Sequence, residues 1–62
     1  MGPKLTEYRA YTIDKDGRIK GRFDLTAIDE PAARVQAKRL VDGHDVELWL
    51  GEKRLETFRH KL

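Results

Sequence analysis

A single segment with helical periodicity, residues 28–43, lies between segments typical of β-strands, and this arrangement limits the possible folds more than any other feature. We predict that the helix begins at Asp29 or Glu30, because the proline that follows is tolerated in a first turn. Gly43 is predicted to end the helix. One apolar stripe recurs at helical spacing: Ala33, Ala37, Leu40 and Val41. The small alanines would let this helix lie close to a sheet.

The segment before the helix predicts a β-hairpin. Gly17 can adopt the left-handed conformation that a three-residue loop at positions 15–17 requires, and the "RIKGRFDLT" stretch after it alternates strictly in polarity. This loop would place Tyr11 opposite Gly21, with an aromatic ring over a bare glycine. The predicted core face then consists of Tyr11, Ile13, Ile19, Phe23 and Leu25. The predicted opposite face consists of Tyr8, Ala10, Thr12, Lys20 and Arg22.

A second hairpin is predicted after the helix, with strands at residues 45–50 and 54–61 joined by a tight turn near Gly51. A two-residue loop would place four aliphatic side chains on one face: Val46, Leu48, Leu50 and Leu55. The other face would carry Glu47, Trp49, Arg54, Glu56 and Phe58. A three-residue loop would instead bring Trp49 beside Leu55. We favour the two-residue loop because it collects the aliphatic residues.

Together these elements predict a single small α+β domain over residues 1–62, of ββαββ order, in which two β-hairpins flank one α-helix. The sheet is expected to have four strands, mainly antiparallel, with the helix on one face. One strand order with short connections is 2-1-3-4, in which the third strand runs antiparallel to the first, and other orders remain open. The predicted core is Tyr11, Ile13, Ile19, Phe23, Leu25, Ala33, Ala37, Leu40, Val41, Val46, Leu48 and Leu55.

The residue inventory argues against an enzyme. The chain has no cysteine and no serine, and its five glycines form no phosphate-binding pattern. A catalytic or metal pair of His44 and Asp45 is a third hypothesis, but neighbouring residues on a strand point to opposite faces and no third partner is suitably spaced, which argues against it. We therefore predict no catalytic residues, no cofactor, no metal and no small-molecule substrate.

No apolar run is long enough for a signal peptide or a membrane span, and basic and acidic residues are interleaved throughout. The thirteen lysines and arginines and eleven acidic residues give a net charge of only +2. We expect a cytoplasmic protein with a mixed, solvated surface and no membrane association.

The small size of the chain makes a protein partner the expected source of additional stability. A domain of this length buries only about 60% of its unfolded surface, and without cysteine it forms no disulfide. Aromatic and arginine side chains, which are enriched in protein interfaces, are predicted on the sheet face away from the helix. We therefore predict a non-catalytic interaction module that forms a homodimer or binds another protein. The predicted partner-binding residues are Tyr8, Trp49, Phe58, Arg22 and Arg54.

A weak nucleic-acid-binding module is the alternative, because the same predicted face offers aromatic rings for base stacking beside basic side chains. The residues that would bind nucleic acid are Arg18, Lys20, Arg22 and Trp49. Five acidic residues are predicted on that face against four basic ones, which leaves it near −1. Nucleic-acid affinity depends largely on neutralising phosphates, so this balance argues against the alternative.

The motif "YRAY" at residues 8–11, the Asp16-Gly17 turn, the "DEPAARVQAKRLVDG" helix and the "DGHDVELWLG" run together resemble short uncharacterised proteins of alphaproteobacteria. The resemblance covers most of the chain. It implies a bacterial origin and a strand-strand-helix-strand-strand order. It brings no assigned activity and no catalytic or binding residues.

Overall fold

The computed structural model describes residues 4–60. Its elements are β1 (Thr6–Ile13), β2 (Ile19–Ala27), α1 (Glu30–Lys38), β3 (Asp45–Leu50) and β4 (Lys53–Phe58). The four strands form one sheet in the order β2-β1-β3-β4, and each neighbouring pair is antiparallel. The predicted α+β class, the ββαββ order and the 2-1-3-4 sheet are confirmed. Residues 1–3 and 61–62, which the prediction included in the domain, lie outside the described residues.

The helix begins where the local chemistry predicts. Asp29 is the N-cap, and its carboxylate accepts a hydrogen bond of 3.0 Å from the backbone N–H of Ala32. This bond satisfies one of the N–H groups that have no partner inside a helix, and Pro31 lies in the first turn. The start at Glu30 is therefore determined by residues close in sequence.

The helix ends earlier than predicted, at Lys38 rather than near Gly43. The backbone N–H groups of Leu40 and Val41 donate to carbonyls three residues back, at 3.0 and 3.2 Å. Bonds of this spacing tighten the chain into a 3₁₀-type turn, which ends the α-helical path. Gly43 has a φ of +75°, so it serves the loop into β3 instead of capping the helix.

The first hairpin closes with the predicted three-residue loop. The backbone N–H of Asp14 donates to the carbonyl of Arg18 at 2.9 Å, and Ile13 pairs with Ile19. Beyond that pair the register shifts, because Lys20 is an extra residue of β2 with no partner on β1. The sheet therefore contains a β-bulge beside the turn.

The bulge reverses the predicted faces of β1. Thr12, rather than Tyr11, lies opposite Gly21, and a Cβ added at this glycine would be 3.0 Å from the Thr12 hydroxyl oxygen. The same shift pairs Tyr8 with Leu25 and turns Tyr8 towards the helix, where only 6% of its surface is exposed. The prediction that Tyr8, Ala10 and Thr12 form the outer side of β1 is wrong, because one inserted residue changes the register of every pair that follows it.

The core consists mainly of small side chains under the helix. Leu48 and Val46 are its largest fully buried members. The buried cluster is Tyr8, Ala10, Ala27, Ala33, Ala37, Val46 and Leu48, with Leu25, Ala32, Leu40, Val41, Leu55 and Phe58 packed against it. Four predicted core residues are absent from this cluster: Tyr11, Ile13, Ile19 and Phe23. The bulge puts Tyr11 and Ile13 on the opposite face, while Ile19 and Phe23 lie in an edge strand and are 62% and 44% exposed.

The second hairpin has the predicted two-residue loop, with Leu50 paired to Lys53 and Gly51 in the left-handed region at φ +60°. A second bulge at Leu55 shifts the register, so that Trp49 pairs with Arg54 and Leu48 pairs with Glu56. Val46, Leu48 and Leu55 pack in the core as predicted, whereas Leu50 is exposed.

Because of the Leu55 bulge, two side chains of β4 lie on the helix side of the sheet rather than on the predicted outer side. Glu56 accepts a hydrogen bond of 2.6 Å from Arg34 of the helix, and Phe58 packs against the core cluster. The prediction that both side chains share the outer face with Trp49 is therefore wrong. Lys61, at the predicted end of this strand, lies outside the described residues.

Candidate functional site

The helix covers one side of the sheet and leaves the other side open, and we call this open side the outer face. Side chains alternate between the two sides of a strand, so the pairing of the strands defines its members. The outer face carries Glu7, Arg9, Tyr11 and Ile13 from β1, Ile19, Arg22, Asp24 and Thr26 from β2, Asp45, Glu47 and Trp49 from β3, and Arg54 and Thr57 from β4.

Two aromatic rings lie at the centre of the outer face. Tyr11 and Trp49 meet edge to face, with ring centroids 6.2 Å apart and ring planes at 89°. The indole N–H of Trp49 donates to the carboxylate of Glu47 at 3.1 Å, and the Arg9 guanidinium donates to the Tyr11 hydroxyl at 3.4 Å. Both rings are half-buried by their neighbours. They form an aromatic pair on a side of the sheet that no element of residues 4–60 covers.

Charged side chains flank the rings in two cross-strand rows. Row one reads Asp24, Arg9, Trp49 and Arg54 from β2 to β4. Row two, one step along the strands, reads Arg22, Tyr11, Glu47 and Thr57. Each row therefore begins and ends on an edge strand and has its aromatic residue in the middle.

The ion pairs among the residues of the two rows are long and exposed. Asp24 lies 3.6 Å from Arg9 and 4.0 Å from Arg22, and Arg54 lies 3.6 Å from Glu47. The Asp24 and Arg54 side chains are 73% and 58% exposed. Pairs of this kind contribute about 0–1 kcal/mol, so these charges are free to change partners at little cost.

The outer face carries nearly balanced charge. Three arginines stand against four acidic residues, which leaves −1: Arg9, Arg22 and Arg54 against Glu7, Asp24, Asp45 and Glu47. Each of the three arginines lies within 4.0 Å of an acidic side chain. Lys20 is the extra residue of the bulge and Arg18 belongs to the first hairpin turn, so neither belongs to the two rows. This balance does not favour phosphate binding.

The structure brings together three of the five predicted partner-binding residues. Trp49, Arg22 and Arg54 lie on the outer face, as predicted. Tyr8 is buried under the helix and Phe58 packs against the core, so the prediction that they join Trp49 is wrong. The two β-bulges are the cause: the extra Lys20 in β2 reverses the predicted sides of β1 relative to β2, and the extra Leu55 reverses the later residues of β4 relative to β3.

Two residues of the outer face, Arg9 and Tyr11, were missed as site residues. Gly21 is the sequence feature that could have indicated their position, because a glycine inside a strand pattern often marks a bulge or a close approach of two backbone segments. A bulge beside Gly21 would have predicted Tyr11 on the same side as Trp49.

The outer face ends at a contact between β3 and the C-terminal segment. Both the backbone N–H and the ring Nδ1 of His60 lie against one carboxylate oxygen of Asp45, at 3.0 and 2.7 Å. The backbone hydrogen bond is the main cause that holds the pKa of Asp45 below its ordinary value, with the side-chain bond second. Asp45 is thus engaged by His60 and not by its neighbour His44, whose Nδ1 is buried without a hydrogen-bond partner among residues 4–60.

Within residues 4–60 no group of three or more histidine, cysteine or acidic side chains is placed to hold a metal ion. A cleft of about 470 Å³ lies at the end of the outer face, between Arg9, Asp24 and Glu52 among others. Its lining combines both charge signs, from Glu7, Arg9, Asp24 and Glu52, and contains neither histidine nor cysteine. We find no catalytic constellation in the part of the chain that the structure describes.

The one helix among the described residues is short, with nine residues, and no helix there has the length and apolar character needed to cross a membrane. The resemblance to short alphaproteobacterial proteins stays a prediction. Comparisons with protein-family models, with curated protein sequences and with solved protein structures found no match.

Proposed function

We propose that this protein is a non-catalytic interaction module that self-associates as a homodimer through its outer face. The observation that carries the proposal is the Tyr11–Trp49 pair at the centre of a sheet side that none of the described elements covers. Tryptophan, tyrosine and arginine are the residues most enriched at the energetic centre of protein interfaces, and charged residues form the rim. The outer face has this composition and arrangement.

The thin core supports the proposal. Four of its seven buried members are alanines, and Leu48 and Val46 are its largest fully buried side chains. Small domains without cross-links bury too little surface to be strongly stable, so an oligomeric contact on the sheet adds apolar burial where the helix cannot. A docked partner would shelter Tyr11, Ile13 and Trp49 together.

The charge pattern favours a second copy over nucleic acid. A surface with three arginines and four acidic residues suits a partner with a similar mixture of charges, and a second copy supplies that mixture by definition. A polyphosphate would be repelled by the carboxylates of Asp24 and Glu47, which lie within 4.0 Å of the three arginines.

The dimensions of the outer face predict weak association. Four strands about 4.8 Å apart and about six residues long, at about 3.4 Å per residue, give about 400 Å² of flat area per subunit. Two such faces, with some relief from side chains, reach only the lower end of the range for specific interfaces. We therefore expect a dissociation constant of about 10–100 μM.

Sedimentation equilibrium between about 10 μM and about 1 mM covers this range of affinity. The wild-type protein is expected to pass from monomer to dimer across it, and Trp49→Ala is expected to remain monomeric. Phe23→Ala is the matched control, because Phe23 is also a partly exposed aromatic residue of the sheet but points to the helix side. A wild-type protein that stays monomeric throughout, or a Phe23→Ala effect equal to that of Trp49→Ala, would contradict the proposal.

A further inference from the structure

Each of the two rows of the outer face is complementary to a second copy of the same row that runs in the opposite direction, from β4 to β2. A line along the strands, midway between β1 and β3, divides each row into two halves. Rotation by 180° about this line, taken as an axis in the plane of the face, places β1 of one copy over β3 of the other and β2 over β4. Each residue then meets the one at the mirror position in its own row.

We infer that two copies of the chain dock face to face about this axis, so that Asp24 of one copy pairs with Arg54 of the second and Arg9 lies against Trp49. The inference rests on the proposed self-association and specifies its geometry. Every contact off the axis occurs twice, so row one contributes two ion pairs at the edge strands and two cation–π contacts at the centre.

Row two is compatible with the same axis. Tyr11 of one copy lies over Glu47 of the second, and Arg22 lies over Thr57. The Tyr11 hydroxyl accepts from Arg9 within its own subunit and keeps its proton, which it can donate to a carboxylate. Neither row places two like charges in contact.

Sheet packing allows these contacts despite the twist of the strands. Packed sheets lie about 10 Å apart and cross at about 30°. The edge strands lie about 7 Å from the axis, so the crossing displaces Asp24 and Arg54 by about 3–4 Å along the strands. An arginine side chain can span that displacement, and both groups are free to move because they are the exposed ends of row one.

An axis running across the strands, between the two rows, is the main alternative. It would place Asp24 over Arg22 of the second copy, Arg9 over Tyr11 and Trp49 over Glu47. The side chains of each of these pairs already contact one another within a subunit, at 4.0, 3.4 and 3.1 Å, so this docking would duplicate existing contacts. The axis along the strands instead adds a new ion pair between Arg54 and Asp24, which lie on opposite edge strands of one chain and form only long, exposed ion pairs within it.

Charge reversal at the two edge strands tests the axis. Asp24→Arg places arginines opposite Arg54 in a dimer, and Arg54→Asp places aspartates opposite Asp24, so each variant alone has two like-charge contacts. We expect each to dimerise about tenfold or more weakly than the wild-type protein. Mixed in equal amounts, the two variants restore both opposite-charge pairs, and a heterodimer with near wild-type affinity is expected.

Compensation inside one subunit does not explain such a rescue. The residues at positions 24 and 54 lie on opposite edges of the sheet, three strand spacings or about 14 Å apart, where mutations act independently. Asp24→Lys and Arg54→Glu provide a second variant pair, and circular dichroism shows that each protein is folded.

The outcomes separate the two proposals. A mixture with no more dimer than its components, or single variants as strongly dimeric as the wild type, overturns the inferred axis. Rescue of Asp24→Arg by Arg22→Asp instead of Arg54→Asp overturns it in favour of the axis across the strands. A wild-type protein that never dimerises overturns the proposed function itself.

Discussion

Replacing Tyr8 by alanine tests which side of β1 faces the helix. Tyr8 is the largest buried side chain of the core cluster. Truncating a buried large aromatic residue costs about 3–5 kcal/mol. At about 0.05–0.15 kcal/mol per residue, a chain of 62 residues has an unfolding free energy of about 3–9 kcal/mol. Tyr8→Ala should therefore remove most of the stability of the domain.

Tyr11→Ala is the matched variant, because it deletes the same side chain from the opposite side of the same strand. Its ring is half-buried and loses an edge-to-face contact with Trp49, which is worth about 0.5–1.5 kcal/mol beyond area burial. We expect Tyr8→Ala to be at least about 2 kcal/mol more destabilising, which corresponds to about 8–16 °C in Tm for a domain of this size.

Thermal unfolding followed by far-UV circular dichroism at about 5 μM measures this difference below the expected dissociation constant, so that self-association contributes little. A Tyr8→Ala protein that is unfolded at 25 °C also meets the expectation. A larger loss for Tyr11→Ala than for Tyr8→Ala would refute the bulged register and would place Tyr11 in the core.

Removing the helix N-cap with Asp29→Ala is expected to lower the free energy of unfolding by about 1 kcal/mol, measured by urea titration, and an unchanged midpoint would count against the cap. The pKa of Asp45 is depressed, so its contribution to stability is complete above its ordinary value of 3.8 and is lost as the pH falls below it. Asp45→Asn, which removes the carboxylate that titrates, should therefore reduce the fall in Tm between about pH 5 and about pH 3, and an identical pH profile would argue against the contact. Gly21→Ala should destabilise the first hairpin by about 1 kcal/mol, and Thr12→Ala in the same chain should recover part of the loss, whereas strictly additive effects would show that the two side chains do not meet.

Features determined by neighbouring residues could be predicted from the sequence. The carboxylate of Asp29, the proline two positions later and the left-handed glycine of each hairpin turn act within a few residues of their own position. These local signals give the number and order of the elements. The strand order follows because short connections leave few arrangements of two hairpins and one helix.

The faces of β1 could not be predicted, because both sides of that strand carry apolar or aromatic residues. Tyr8 and Ala10 compete with Tyr11 and Ile13, and hydrophobic alternation alone gives no preference between them. Packing against the helix determines which side of β1 is buried. The small side chain of Ala10 is fully buried in one cluster with the helix alanines, whereas a tyrosine at that position would hold the helix away from the sheet.

The residues of the candidate site could likewise be placed only in part from the sequence. Trp49 and Arg54 could be placed because neither follows the extra residue Leu55, and Arg22 could be placed because the polar alternation of β2 gives its side directly. Phe58 was misplaced because the extra residue at Leu55 is visible only in the pairing of β4 with β3. A single inserted residue thus changes which aromatic side chains can meet a partner.

The emission of Trp49, the only tryptophan in the chain, reports on the outer face most directly. The fluorescence maximum, followed by dilution from about 1 mM to about 1 μM, covers the expected range of association. If a second copy covers the outer face, the fluorescence maximum shifts to longer wavelength on dilution. The midpoint of this shift matches the dissociation constant measured by sedimentation equilibrium. A maximum that stays constant while the protein changes its oligomeric state would show that the copies meet elsewhere, and a constant maximum in a persistent monomer would show that they do not meet.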